Sequence, residues 1–197
     1  MLEGLRPLYN KSLRPFARFL SQIGIHPNHI TILGLLFFIA AGWYSSLGKW
    51  YLALLVVIIG ALMDGLDGVL ARESGKKTVF GAVLDSSCDR LTEIALFLGI
   101  LVYYLKTTPL NQAGVILCFA GISGSIMISY IKARCEGAGL PCKGGILQRP
   151  ERIILLSAGL LSGPYIMLWI LSGLNVLAWF TVIQRLIEAA SAARSKI

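Results

Sequence analysis

Along the chain, long uncharged apolar runs alternate with short segments that hold nearly all of the charge. A helix rises about 1.5 Å per residue, so about 20 mostly apolar residues are needed to cross the hydrocarbon core of a bilayer. Ile30 to Gly48 meets that requirement without a single charge. Trp50 to Met63 is equally uncharged, but it reaches full length only by running on through Asp64 and Asp67 to about Leu70. A third run, Val79 to Tyr104, carries Asp85, Asp89, Arg90 and Glu93 in its first half, and a fourth covers Gln112 to Ile131. Ile153 to Gln184 is uncharged and too long for one crossing, so it must fold back at Gly163-Pro164 or at Ser172-Gly173. The Gly-Pro pair is the stronger break, because Pro cannot continue a helix.

Before the first run lies an arm on which Lys11, Arg14 and Arg18 share a narrow sector of the helical wheel and Phe16, Phe19, Leu20 and Ile23 the opposite one. That pattern predicts a helix lying in the membrane interface. With four cations in the thirty residues ahead of the first run, and no small-residue cleavage site after it, the sequence predicts no signal peptide. The expectation is an all-α polytopic membrane protein of six transmembrane helices with an N-terminal interfacial amphipathic helix. It forms one domain over residues 1–197: an arm (1–26), a six-helix bundle (27–187) and a cytoplasmic tail (188–197).

Composition narrows the class. The 197 residues are 56% hydrophobic and 14% charged, against about 45–50% and about 25% in a soluble domain, so there is too little charge to cover a globular surface. The apolar fraction also excludes disorder, and four cysteines in a chain of this length are no disulfide scaffold. Cys88 and Cys118 fall in apolar runs, while Cys135 and Cys142 flank a turn on the basic side; all are expected to be free thiols.

The net charge of +8 is distributed unevenly. Arg6, Lys11, Arg14, Arg18, Arg72, Lys76, Lys77, Lys132, Arg134, Lys143, Arg149, Arg152, Arg185, Arg194 and Lys196 fall on one side of a six-span layout, and only Lys49 and Lys106 on the other. The positive-inside rule makes the rich side cytoplasmic, in the cell membrane. Cations at helix ends rather than on one soluble face argue against nucleic-acid binding.

Intramembrane carboxylates are costly and need partners. Asp64 and Asp67 stand at i, i+3, and Asp85 and Asp89 at i, i+4, so each pair shares a helix face. A short cytoplasmic loop makes the two helices antiparallel neighbours, which brings both faces to one depth. Four converging carboxylates repel unless cations neutralise them, and all-oxygen ligation suits Mg²⁺, Mn²⁺ or Ca²⁺. Separate ion pairs with Arg72, Arg90, Lys76 and Lys77 would not need matched depth. His26 and His29 do not suit a hard oxygen site, and Glu93 reads as a partner of Arg90 or a supporting group rather than a ligand. Gly65, Gly68 and Gly81 leave room beside the aspartates for a small ligand. Divalent metal and Arg72 together suggest a phosphate ester rather than a bare ion.

The stretch Asp64-Gly65-Leu66-Asp67-Gly68-Val69-Leu70-Ala71-Arg72, followed after eight residues by Gly81-Ala82-Val83-Leu84-Asp85-Ser86-Ser87-Cys88-Asp89, resembles the D-x2-D-G-x2-A-R-x8-G-x3-D-x3-D signature of CDP-alcohol phosphotransferases at every fixed position. The resemblance implies transfer of a phosphatidyl-type group from a CDP-linked lipid to an alcohol, with release of CMP. It implies Mg²⁺ or Mn²⁺ held by Asp64, Asp67, Asp85 and Asp89, with Asp89 also the base for the incoming hydroxyl. It further implies a CDP pocket lined by Gly68, Ala71, Arg72 and Gly81, with Asn28 and Thr31 facing the nucleotide from the similar segment Pro27-Asn28-His29-Ile30-Thr31. A homodimer is also implied.

Ser129, Lys132, Arg134, Glu136, Lys143, Arg149, Glu151 and Arg152 cluster around the fourth-to-fifth turn. Five cations beside a site that already holds a diphosphate suggest a second phosphate, on the acceptor. Residues 129–137 and 149–152 resemble the branch of the family that uses inositol 1-phosphate, apart from Cys135 where a small residue is expected. There Ser129, Lys132, Arg152 and Arg185 would form the acceptor-phosphate pocket. Glycerol 3-phosphate is the alternative acceptor, CDP-diacylglycerol and CDP-archaeol are alternative donors, and a divalent metal-ion carrier is the alternative from another class.

Overall fold

The structure, a computed structural model, describes residues 6–141 and 144–194, with side chains from Ser12 onward. Cys142, Lys143 and Lys196, and the side chains of Arg6 and Lys11, lie outside the described residues. The elements run α1 (Arg6–Gln22), α2 (Pro27–Ser46), α3 (Trp50–Glu73), α4 (Val79–Lys106), α5 (Gln112–Gly137), α6 (Arg149–Ser162) and α7 (Pro164–Arg194), with no strand among the described residues.

Each limit has a local cause. Pro27 opens α2 at N1, where a missing N–H costs nothing, and His26 caps it through Nδ1, which accepts from Asn28 N at 3.4 Å. Thr78 caps α4 and Asn111 caps α5, their side-chain oxygens accepting from Gly81 N and Gly114 N, each at 2.9 Å. The long uncharged run breaks at the Gly-Pro pair: Gly163 takes φ +86°, open to Gly alone at little cost, and Pro164 begins α7. Tyr104 Oη donates to Pro164 O at 2.6 Å and ties this turn to the end of α4.

Among the described residues, four helices are long and apolar enough to cross a membrane: α2, α3, α5 and α7. The charged first half of α4 and the 14-residue length of α6 set those two apart. The boundary expected at residue 188 falls inside α7, which continues unbroken to Arg194.

α2 packs along both α3 and α4, α5 against α4 and α7, and α6 against α7 and α3. The α2–α4 approach is backbone on backbone: a Cβ added to Gly99 would stand 2.0 Å from Gly42 O, and one added to Gly42 would stand 2.3 Å from Ala95 O. The main core runs between these helices through Phe38, Leu96, Phe97, Ile100, Leu156, Leu160, Leu171 and Leu174. Outward faces stay apolar, with Ile116, Phe119 and Val176 exposed, as lipid contact requires. Trp43, Tyr51, Tyr165 and Trp169 are exposed around the α2–α3 and α6–α7 turns, the placement of an interfacial aromatic belt.

The arm helix α1 packs on α3 through Ala17 and Leu20. Leu20 therefore faces protein, while Phe16, Phe19 and Ile23 of the same predicted face stay more than half exposed. Arg14 Nε and Arg18 Nε lie 3.3 and 2.9 Å from Glu73, at the end of α3.

Candidate active site

The last turns of α3, the first turns of α2, α4 and α6, and the C-terminal parts of α5 and α7 carry the predicted polar residues, so antiparallel packing gathers them toward one end of the bundle. Asp64, Asp85 and Asp89 each offer a carboxylate oxygen within 4.8 Å of the others. The i, i+4 spacing on α4 thus brings Asp85 and Asp89 together with Asp64 as the sequence predicted, but α2, packed along both α3 and α4, joins the two helices rather than the direct α3–α4 packing expected from their short loop.

Asp67 stands beside them in a different way. It is buried, and its Oδ2 accepts from Thr31 Oγ1 at 2.5 Å, a link from α3 to the first turn of α2. Two more of the predicted nucleotide residues meet across the same helix ends, since a Cβ on Gly81 would lie 3.3 Å from Asn28 Oδ1. Gly68 lies under the Arg72 guanidinium, with Nη1 3.5 Å from where a Cβ would be.

A cation of the chain itself also partners the carboxylates, though none of Arg72, Lys76 and Lys77 is the one between them. The cation between them is Arg149, from the start of α6. Its Nη1 donates to Asp64 Oδ2 at 2.7 Å and its Nη2 to Asp64 Oδ1 at 3.1 Å, with Nη2 also 3.2 Å from Thr92 Oγ1. Nη1 is also 2.7 Å from Asp89 Oδ1. That second contact lacks hydrogen-bond geometry, leaving Asp89 Oδ1 and Arg149 Nε buried without a hydrogen bond. A buried polar atom left unmatched costs about 1–3 kcal/mol, so the arginine neutralises this seat without filling it.

Glu93 is also corrected: it pairs with Arg152 rather than Arg90. Arg152 Nη2 donates to Glu93 Oε1 at 2.7 Å and Nε to Oε2 at 3.1 Å, both residues being almost inaccessible. Arg90 instead donates to Ser86 O and lies 3.8 Å from Asp89 Oδ2.

Of the residues expected around an acceptor phosphate, Arg152 is thus held in a two-point pair, with a third bond to Leu147 O at 3.3 Å. Arg185 is buried and donates to Gly144 O at 2.9 Å and to Ile128 O at 2.5 Å, next to Ser129. Lys132 is half exposed, 3.9 Å from Glu136. Cys88, Cys118 and Cys135 are free thiols, as expected.

The donor set of the carboxylate cluster is all oxygen, and the unmatched Asp89 Oδ1 is a lone pair that a cation would satisfy. Both features fit a hard divalent ion such as Mg²⁺ or Mn²⁺. Thr92 was not singled out from sequence, and Arg149 was placed only in the cation cluster of the fourth-to-fifth turn, not against the carboxylates. No spacing links Arg149 to carboxylates 60 and 85 positions away, and the positive-inside excess hides it among other cations.

Membrane-length helices that gather carboxylates and arginines at one end define a membrane protein able to hold divalent metal against an anionic ligand. The chain belongs to the CDP-alcohol phosphatidyltransferase family, whose model matches residues 24–184. It is 36% identical over 191 residues to the archaetidylinositol phosphate synthase of Pyrococcus horikoshii, covering 96% of each chain. It is also similar to the crystal structure of Mycobacterium tuberculosis phosphatidylinositol phosphate synthase with CDP-DAG bound, at TM-score 0.84 and 36% identity over 90% of this chain and 92% of that one. The same enzyme in complex with manganese and citrate matches at TM-score 0.83 and 36% identity, over 91% and 90%.

Proposed function

We propose that the protein transfers a phosphatidyl-type group from a CDP-linked lipid to inositol 1-phosphate, releasing CMP. The observation that carries this reading is the convergence of Asp64, Asp85 and Asp89 from two helices of the family signature within 4.8 Å. The names of the similar synthases support the acceptor, and between them they leave a diacyl and an archaeol donor both open.

The acceptor hydroxyl oxygen attacks the lipid-side phosphorus, the bond from that phosphorus to the bridging oxygen breaks, and CMP leaves with the electron pair. Asp89 takes the hydroxyl proton, a role that needs a carboxylate within hydrogen-bond reach of the acceptor. Asp64, Asp67, Asp85 and Asp89 would hold Mg²⁺ or Mn²⁺, which would supply charge stabilisation on the diphosphate as the bond to CMP breaks. Thr31 holds Asp67 in place, and Asn28, Gly68, Ala71, Arg72 and Gly81 line the nucleotide. Ser129 and Lys132 meet the acceptor phosphate directly, while Arg152 and Arg185, tied to Glu93 and to backbone carbonyls, set the charge of the pocket behind them.

The same reading extends to topology: a single domain over 1–197, six crossings with α4 and α6 included, α1 in the interface, the site facing the cytoplasm at the cell membrane, and a homodimer. The charge bias of the loops and the exposed Phe16, Phe19 and Ile23 support it.

The test is CMP release by purified protein with Mg²⁺ or Mn²⁺ from CDP-diacylglycerol and from an isoprenoid-ether CDP-lipid, offering inositol 1-phosphate, glycerol 3-phosphate, serine or free inositol. Release with inositol 1-phosphate alone is the expected result. Release with glycerol 3-phosphate instead would replace the acceptor, and no release with any would turn the site into that of an ion carrier.

A further inference from the structure

Arg149 poses a problem that the proposed chemistry does not use. Its guanidinium engages both oxygens of Asp64 and approaches Asp89 Oδ1 at 2.7 Å, so it holds two of the three carboxylates that would ligate a metal. A divalent ion on those carboxylates would sit beside a guanidinium on the same oxygens, where like charges repel strongly because the surroundings are only partly solvated. The two cations therefore compete. The seat is also imperfect for arginine: Arg149 Nε has no hydrogen bond, and Asp89 Oδ1 is left without one. An arginine serving only as a structural pair would resemble Arg152 on the next turn, whose Nε, Nη1 and Nη2 all donate.

We propose that Arg149 is a displaceable internal counter-ion of the metal site, which neutralises Asp64 and Asp89 when the site holds no metal and gives them up to a divalent ion. The proposal rests on the metal-site reading above. It explains how α3 and α4 bring this many carboxylates together before metal binds, since unneutralised charges at this depth would drive them apart. It also makes metal affinity a property set partly by α6. Arg149 stands at the first position of that helix, and Arg152, paired with Glu93, keeps the same turn tied to α4 when Arg149 lets go.

The experiment is direct Mn²⁺ binding to the detergent-purified full chain, read by the electron paramagnetic resonance signal of free Mn²⁺, for wild type, Arg149→Gln, Arg149→Lys and Asp85→Asn. Arg149→Gln is expected to bind Mn²⁺ about tenfold tighter or more, tenfold corresponding to ~1.4 kcal/mol of competition removed. Arg149→Lys, a point charge without the fork that spans two carboxylates, is expected to fall between Gln and wild type, and it carries the comparison if the Gln variant does not fold. Thermal unfolding supplies a second readout, in which Arg149→Gln melts lower than wild type in chelator and gains more on adding Mn²⁺. Unchanged or weaker Mn²⁺ binding in both Arg149 variants, with Asp85→Asn clearly weakened, overturns the counter-ion while keeping the metal site. Mn²⁺ binding indifferent to Asp85→Asn overturns both.

Discussion

At the scale of single residues, two side chains of the expected acceptor pocket, Arg152 on α6 and Lys132 on α5, carry the same charge and do different work. Arg152 is sealed against Glu93, and breaking such a buried pair from one side costs about 3–5 kcal/mol because the remaining charge is stranded. Arg152→Ala should therefore lower the melting temperature strongly, while Lys132→Ala, at a half-exposed and loosely paired site, should leave it within about 2 °C of wild type and raise the acceptor KM more than the donor KM. A melting curve for each variant, with KM for both substrates, checks the pair of statements. Equal effects on the two KM values would remove Lys132 from an acceptor pocket. Asp89→Asn keeps shape and hydrogen-bonding capacity but cannot take a proton. It is expected to cut turnover by about 10²-fold or more while CDP-lipid binding persists, and normal turnover would end its role as base. The aspartates were legible in sequence because a charge inside an apolar run stands out against its neighbours. Arginines of a basic cluster do not stand out from one another, which is why Arg149 was not placed against Asp64 and Asp89, and why Arg90 rather than Arg152 was set beside Glu93.

At the scale of helices, the limits follow closely from local rules. Expected spans beginning at Trp50, Val79 and Gln112 coincide with the starts of α3, α4 and α5, and the Gly163-Pro164 break separates α6 from α7. Ends were less legible, since α5 runs to Gly137 and α7 to Arg194, because helices continue past the hydrocarbon core where polar residues are free to be solvated. The contact between Gly42 and Gly99 was not legible either, since nothing in one sequence distinguishes glycines that admit a neighbouring backbone from the others in these runs. That contact sets the position of α2, and with it Thr31 and Asn28, against α4 and its aspartates. Gly99→Ala places a methyl 2.0 Å from Gly42 O, so the helices must separate. Over-packing of this kind costs about 1–3 kcal/mol, and the variant should lose both thermal stability and CDP-lipid affinity. A loss of stability with wild-type affinity would show that the nucleotide end of α2 does not depend on this crossing.

For the whole molecule, the decisive question is which helices cross. α4 carries Asp85, Asp89, Arg90 and Glu93, and α6 has 14 residues, about 21 Å of rise against about 30 Å of hydrocarbon. Both are nevertheless packed into the bundle rather than laid along it, α4 against α2 and α5, and α6 against α7 and α3. Charges of the two helices compensate each other, Arg149 on Asp89 and Arg152 on Glu93, which reduces the penalty for holding them at depth. Six crossings place Lys76, in the α3–α4 loop, on the side opposite Lys106 at the end of α4 and Ser162 at the end of α6. If α4 does not cross, Lys76 and Lys106 share a side. All three positions are exposed, so in a cysteine-free background Lys76→Cys, Lys106→Cys and Ser162→Cys can be labelled with a membrane-impermeant maleimide in sealed, oriented vesicles. Lys106→Cys and Ser162→Cys should react from the outside, and Lys76→Cys only after the vesicles are opened. Labelling of Lys76→Cys and Lys106→Cys from the same side would reduce the crossings to fewer than six. It would also require the carboxylates to reach their substrate from a helix lying in the interface.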